Sequence, residues 1–277
     1  MLALPVAGAV LASAALHATW NIMIRAGTDR RRETALFAAA CAVLAGVALL
    51  VMPVPRAPAW VNLGISAILH GFYFALIAEA YSRGGVALAY PLMRGTAPML
   101  ATLGALVLLR EYLPPAGWLG IAAICGGVAV LARGRGVPGE RAAAAFALLN
   151  AVVIALYTLN DAIGARASGA PVAYALWVDV LSAVPTLAWF GRSLGPRLPH
   201  PRAILRAGGG ALCSVIAYAV VLWAMTRAPV APVAALRETA MLFGIVLARL
   251  VLGERPGARG WAAAAAIAAG AAVLRLG

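Results

Sequence analysis

Six ionisable residues lie inside apolar stretches of this sequence, where a charge is costly unless it meets a partner. An arginine there presents a planar guanidinium suited to a carboxylate or another oxyanion. An acid in the same surroundings can hold an ammonium group, neutralise an arginine or take up a proton. These side chains are the first candidates for a site that binds a small polar solute, and they are Glu79, Arg94, Asp161, Asp179, Arg237 and Glu238.

Arg94 lies within the segment YPLMRGTAP, between Pro91 and Pro98. Because a proline removes a hydrogen bond from the helical ladder, we predict helix breaks at both prolines. Broken helices near the middle of a bilayer are typical of solute sites. We prefer a substrate carboxylate as the partner of Arg94, the alternative being carbonyls or an acid of a neighbouring helix. Tyr90, one turn earlier, would flank the bound group.

Arg237 is followed directly by Glu238. Adjacent helical residues point about 100° apart, so these two side chains cannot form a good pair with each other. One of them needs another partner. Asp179, eight residues into its apolar run, is the best remaining acid, and it could neutralise an arginine, hold an ammonium or take up a proton.

The remaining two acids lie close to the ends of their predicted spans. Glu79 is four residues before Arg83, so an i,i+4 surface pair is the alternative to a functional role. Asp161 would either anchor the end of its helix or serve the site. We keep both, with Asp179, Glu238 and His70, as candidates for proton coupling or ion pairing.

Aromatic and polar residues also recur at helical spacing. His17, Trp20 and Asn21 are spaced i, i+3, i+4 and so share one helix face. That face would either line a solute pathway, with Trp20 stacking on the solute, or hydrogen-bond to a neighbouring helix. His70 begins a similar pattern in a later run, and Tyr157 lies one turn before Asp161.

The elements that must position these residues are membrane helices. The chain is 64% apolar and 11% charged, against about 45–50% and about 25% in soluble domains. Turn and charge clusters divide it into apolar runs of the length that crosses a bilayer. We predict an all-α integral membrane protein with ten transmembrane helices, at 2–25, 34–52, 59–82, 86–109, 115–132, 142–163, 171–190, 203–226, 229–252 and 258–275.

Several function classes are disfavoured. The formal net charge of +13 belongs to short loops rather than to a water-exposed domain, so we expect the lipid bilayer and no nucleic acid as partner. The sequence has no Gly-rich phosphate loop, metal-ligand cluster or Ser-His-Asp set that spacing would justify. We therefore expect no enzyme, no cofactor and no metal.

The sequence contains a weak internal repeat. At an offset of 143, Arg94 aligns with Arg237, Glu111 with Glu254, and Gly127 with Gly270. The predicted units are residues 1–135 and 136–277, each with five helices. Five is an odd number, so the second unit must enter the membrane from the opposite side, and inverted repeats of this kind are typical of secondary transporters.

The residues also carry a resemblance to a family. LHATWN, YPLMRGTAP, LLREYLPPAGWLGIAAICGGV, YTLNDAIGAR and LGERPGARGW follow one another along the chain. In order and spacing they resemble the EamA branch of the drug/metabolite transporter superfamily. The resemblance implies a ten-helix secondary carrier, often an exporter of amino acids or related metabolites, and it implies no particular substrate. LREY and ALRETAM depart from the family pattern, so the two halves need not contribute equally to a site.

Together these features predict a carrier for a small zwitterionic or anionic metabolite, with an amino acid or a related compound as the preferred choice. It would work by alternating access around Arg94, with Arg237 as a second member of the site. The alternatives are a non-transporting scaffold or assembly protein, and a passive pore. We expect a multi-pass protein of a bacterial inner membrane.

Two points stay open. Most arginines lie in the odd-numbered loops, which by the positive-inside rule would put both termini outside. The resemblance implies both termini inside. The choice between a monomer and a homodimer is also open.

Overall fold

The computed structural model describes residues 2–25, 29–132, 136, 138–195, 199–252 and 257–276. Within these ranges the chain is helical and contains no strand. A short 3-10 helix at Gly191–Leu194 directly follows the α-helix that ends at Phe190. The α-helices are α1 (Leu4–Arg25), α2 (Arg30–Leu49), α3 (Ala59–Gly84), α4 (Val86–Leu108), α5 (Pro115–Val130), α6 (Glu140–Ser168), α7 (Pro171–Phe190), α8 (Pro201–Met225), α9 (Val230–Arg237), α10 (Ala240–Leu252) and α11 (Ala258–Leu276).

The helices are those of a multi-pass membrane protein. Among the described residues, eight candidate spans are long and apolar enough to cross a bilayer, and one of them, Val230–Leu247, combines α9 with most of α10. The apolar helices α5 and α11 are shorter. Large apolar side chains such as Leu50, Phe72 and Val107 are exposed on the outside of the bundle. The all-α class is confirmed, and eight long spans with two shorter ones fit the predicted ten.

Local sequence sets the helix starts. Asp29 caps α2, because its carboxylate accepts hydrogen bonds from the backbone N–H groups of Arg31 at 3.0 Å and Arg32 at 3.2 Å. The helices α5, α7 and α8 each begin with a proline. Proline suits this first position, since its missing N–H group would have no partner inside the helix.

The break in the central helices lies in the second half of the chain. Helix α4 is continuous through Pro91 and Pro98, so the predicted breaks there are wrong. A proline removes one bond from the ladder, and the bonds on either side keep the helix intact. The ninth span is instead interrupted at Glu238 and Thr239, whose N–H groups bond three residues back, the second of them to Leu236 O at 3.1 Å.

Packing between the two halves follows a two-fold pattern. Helix α1 packs on α8 as α6 packs on α3, and α2 contacts α8 as α7 contacts α3. Helix α4 packs on α6, and the α9–α10 pair packs on α1 in the same way. The pairs α2–α7 and α5–α11 join equivalent helices. Exchanging the halves therefore reproduces these contacts, as the internal repeat leads one to expect, whereas α7 packs on α8 more closely than α2 on α3. Glu254, aligned with Glu111 in that repeat, lies outside the described residues.

Glycines allow α5 and α11 to approach closely. A Cβ atom added at Gly270 would lie 2.6 Å from Gly120 O, and one added at Gly127 would lie 2.9 Å from the Cβ of Ala266. Small residues at such contacts are typical of helix pairs in membranes, where close backbone approach replaces burial from water. The aligned glycines Gly127 and Gly270 thus lie in the same interface.

This interface makes a stability prediction. Gly127→Ala should lower the stability of the purified protein by about 1–3 kcal/mol, because the added methyl group meets Ala266 and the α11 backbone. Gly126→Ala is the matched control, since a Cβ at Gly126 has no atom within 4 Å. Thermal unfolding in detergent, followed by circular dichroism, measures both. Equal midpoints for the two variants would contradict the close packing.

Candidate functional site

The centre of the bundle contains a buried ion pair between its two halves. Arg94 Nε on α4 lies 2.9 Å from Glu238 Oε2 at the end of α9, and the side chains are 5% and 2% exposed. Neither atom makes a directed hydrogen bond within the described chain, so the contact is mainly electrostatic. The preferred partner of Arg94, a substrate carboxylate, is therefore replaced here by the alternative, an acid of a neighbouring helix. Glu238 contacts Arg94 and also interacts electrostatically with Arg237, the residue before it.

Arg237 is buried and forms no close ion pair within the described chain, and it shares the charge of Glu238 with Arg94. Its side chain is among the buried ones, and it has no ion pair or hydrogen bond within the part of the chain that the structure describes. It faces an internal void of about 10 Å³, room for about one water molecule. The void is lined by Ala97, Pro98, Ala101, Ile154, Thr158, Ala234, Arg237 and Glu238.

Asp161 is fully buried in the interior of α6 and is held by neutral donors. Its Oδ1 accepts hydrogen bonds from Tyr174 OH and Asn160 Nδ2, both at 3.1 Å, and its Oδ2 accepts one from Tyr218 OH at 2.5 Å. No basic side chain pairs with it among the described residues. Helix α6 continues to Ser168, so Asp161 does not anchor a helix end as one alternative proposed.

Four rings form an aromatic cluster beside Asp161. His70 stacks on Tyr157 with centroids 4.4 Å apart, and Tyr218 meets the edge of His70 at 6.2 Å. Tyr73 meets Tyr157 edge-on at 6.1 Å. His70 Nδ1 lies 2.9 Å from Ser66 O one turn earlier, which fixes the imidazole orientation. We call His70, Tyr73, Tyr157 and Tyr218 the aromatic cluster.

The aromatic cluster interacts electrostatically with the buried acid and with the two arginines. His70 and Tyr218 interact electrostatically with both Asp161 and Arg237. Tyr73 and Tyr157, together with Tyr90 on α4, interact in the same way with Arg94. The predicted site residues from α3, α4, α6 and α9 are therefore brought to one central region.

On the predicted face of α1, one residue borders the central region and the others make packing or intrahelical contacts. His17 interacts electrostatically with Arg94 and Arg237, so it borders the central region. Trp20 donates a hydrogen bond from Nε1 to His17 Nδ1 at 3.3 Å and stacks on Phe37 of α2 at 4.9 Å, which is a packing contact. Asn21 Nδ2 donates to His17 O within its own helix.

The last two acids lie away from the Arg94–Glu238 pair. Glu79 forms an i,i+4 ion pair with Arg83, and both side chains are exposed. This is the surface pair that the sequence offers as the alternative to a functional role for Glu79. Asp179 on α7 has a buried Oδ2 without a hydrogen-bond partner in the described chain, and it interacts with the Cys41 thiol of α2. It neutralises neither arginine.

Sequence reasoning missed two groups of residues. Tyr218 and Tyr174 are single tyrosines inside apolar runs, and this placement is a usable signal because a hydroxyl in lipid needs a partner. Glu111 and Arg166 lie at helix ends, where charged residues are ordinary. Their role depends on which ends meet in the fold, so no local pattern reveals it.

Glu111 bridges four helix ends on one side of the molecule. Its Oε1 accepts a hydrogen bond from Arg166 Nη2 at 2.7 Å, and its Oε2 accepts one from the N–H of Val230, the first residue of α9, at 2.6 Å. Arg166 Nε also donates to Met225 O at 2.8 Å. The α4–α5 connection is thereby fixed to the end of α6 and to the α8–α9 connection. We call these contacts the Glu111 bridge.

The fold and the centre define a multi-pass membrane protein with two similar halves around buried charges. The EamA-like transporter family matches the chain twice, over residues 4–133 and 141–276, and the chain belongs to this family. The resemblance of its motifs is thus confirmed. No curated protein matches it. One crystal structure aligns with a TM-score of 0.79 and 22% identity over 98% of this chain and 96% of its own, a likeness of fold.

Removing one partner of the central pair should be strongly destabilising. Glu238→Gln leaves the Arg94 charge buried without an acid, and we expect a loss of about 3–5 kcal/mol. The double variant Arg94→Met/Glu238→Leu removes both charges and should recover most of that loss. Thermal unfolding in detergent measures all forms, with Glu79→Gln as the exposed control. If the double variant is no more stable than Glu238→Gln, the loss of stability in Glu238→Gln does not come from the unpaired charge of Arg94.

The Glu111 bridge gives a smaller expected effect. Glu111→Ala removes an acceptor from both Arg166 and the start of α9, and because Arg166 is partly exposed we expect a loss of about 1–2 kcal/mol. Glu111→Gln keeps an oxygen for the Val230 N–H and should lose less. The order wild type, Gln, Ala in unfolding midpoint is the expected result. Wild-type stability for Glu111→Ala would exclude a structural role for the bridge.

Proposed function

We propose that this protein is a secondary carrier for a small carboxylate-bearing metabolite, an amino acid or a related compound. Membership of the EamA-like transporter family supports the transport class. The single observation that supports the substrate class is the buried, unpaired guanidinium of Arg237 beside an internal void. A carboxylate is the group that such a planar donor binds best.

Arg237 suits this role better than Arg94. The charge of Arg94 is already met by Glu238 at 2.9 Å, so a substrate carboxylate would have to displace a protein acid. Arg237 has no acid in such close contact and only shares the charge of Glu238, so a carboxylate bound to it would supply a counter-charge of its own in a medium where charges interact strongly. The proposed site is therefore asymmetric between the two aligned arginines, with Arg94 holding the halves together and Arg237 binding solute.

Transport would proceed by alternating access. The void beside Arg237, at about 10 Å³, is too small for a metabolite, so the helices around it would have to move apart for a solute to enter. The turn at Glu238 and Thr239 directly follows Arg237 and gives α9 a point at which to tilt relative to α10. We propose a proton or solute gradient as the energy source, export as the direction, and a bacterial inner membrane as the location.

Counterflow in proteoliposomes tests the proposal. Vesicles containing the purified protein and a mixture of amino acids should show saturable exchange with external amino acids. Arg237→Ala should reduce kcat/KM at least tenfold, and Arg237→Lys should recover only part, because an ammonium lacks the planar fork of donors. Arg83→Ala, which removes an exposed arginine, is the matched control and should transport normally.

Three results would contradict the proposal. Wild-type exchange by Arg237→Ala would exclude Arg237 from the site. Flux that rises in proportion to concentration would indicate a passive pore. No solute exchange at all by a folded protein would favour a scaffold or assembly role.

A further inference from the structure

Two opposite charges in the central region form no close ion pair within the described chain, although Asp161 interacts electrostatically with His70 and Arg237 with Glu238. Arg237 has no ion pair, and Asp161 is surrounded by tyrosine hydroxyls and an amide. These neutral donors orient and stabilise the carboxylate, but they do not cancel its charge. By contrast, the charges of Arg94 and Glu238 cancel locally. The two charges without a close ion pair are thus the positive charge of Arg237 on α9 and the negative charge of Asp161 on α6.

The rings next to Asp161 are of the kind that can attract a cation, on the faces that they do not turn toward each other. His70 and Tyr157 are stacked at 4.4 Å, and Tyr218 closes the side at 6.2 Å while its hydroxyl donates to Asp161. Aromatic faces attract an ammonium within about 6 Å of the ring centroid, most strongly when the site excludes water. A carboxylate at the base of such a group of rings adds direct Coulomb attraction.

We propose that Asp161 with His70, Tyr157 and Tyr218 forms a subsite for the ammonium group of the substrate. This rests on the proposed function, in which Arg237 takes the carboxylate. The site then selects zwitterions over simple anions, because each end of the solute meets an unpaired opposite charge. A plain carboxylate would leave the Asp161 side without a counter-charge.

The geometry gives the subsite a mechanical consequence. Asp161 and Tyr157 lie on α6, His70 on α3 and Tyr218 on α8, whereas Arg237 lies on α9. His70 and Tyr218 interact electrostatically with both Asp161 and Arg237, so the two ends of the site are neighbours across these rings. A bound zwitterion would join α9 to the other three helices. An anion at Arg237 would have no charged contact with the Asp161 side of the site.

The other unpaired buried acid does not form such a subsite. Asp179 interacts with the Cys41 thiol of α2, and neither buried arginine nor any ring of the aromatic cluster interacts with it. It is therefore a matched control, a buried acid in a membrane helix that can be replaced by asparagine in the same way as Asp161.

The test compares amino acids with their 2-hydroxy analogues, which keep the carboxylate and lose the ammonium. Proteoliposomes are loaded with alanine, leucine, phenylalanine and glutamate, or with lactate, 2-hydroxy-4-methylpentanoate, phenyllactate and 2-hydroxyglutarate. Efflux of each compound against the external mixture is measured by mass spectrometry. The wild-type protein should release the preferred amino acid at least tenfold faster than its analogue.

The variants separate the two ends of the site. Asp161→Asn should reduce that preference to about twofold or less while the analogue is still exchanged, and Asp179→Asn should keep the wild-type preference. Arg237→Ala should slow both members of each pair alike. Tyr157→Leu should weaken the preference, whereas Tyr157→Phe, which retains the ring face, should preserve it.

The outcomes distinguish this inference from the proposed function. An unchanged preference in Asp161→Asn, or equal exchange of both classes by the wild type, overturns the ammonium subsite and leaves Arg237 as the carboxylate site. Absence of exchange with both mixtures contradicts the proposed function itself. If Asp161→Asn does not fold, as judged by gel filtration, an unchanged preference in Tyr157→Leu overturns the subsite instead.

Discussion

The ion pair between Arg94 and Glu238 is the contact on which the centre of this protein depends. A charge placed alone at mid-bilayer costs about 2.5–3.5 kcal/mol on insertion scales, so two such residues are tolerated because they meet. The pair joins α4 of the first half to the end of α9 in the second, with Nε and Oε2 2.9 Å apart. It thereby fixes which face of each helix points inward.

The same pairing decides what the remaining charges can do. Because Glu238 is in close contact with Arg94, Arg237 has no close ion pair of its own within the described chain and lies beside a small void. Asp161 is held by tyrosines, with His70 as its electrostatic neighbour, and it also lacks a close ion pair within the described chain. An interior with one free charge of each sign suits a solute that carries both. The glycine contacts between α5 and α11 lie apart from this centre and hold the halves together by close packing.

The sequence predicted much of the fold, because the signals there are local. Apolar run length gave the spans, and the spacing of Glu79 and Arg83 gave the alternative of a surface pair that the structure shows. The unit boundaries, the inverted orientation and the site roles stay predictions. The partner of Arg94 was not predictable, since it depends on the rotation of α4 against α9. The rule that proline breaks helices misplaced the break, because the hydrogen bonds on either side keep α4 continuous through both prolines, while a turn without proline interrupts the ninth span.

An experimental structure with a transported amino acid bound tests the central claim most directly. The account predicts a substrate carboxylate oxygen about 3 Å from the Arg237 guanidinium, with Arg94 and Glu238 still paired. A carboxylate bound to Arg94 with Glu238 displaced, or Arg237 pointing to lipid, would contradict it.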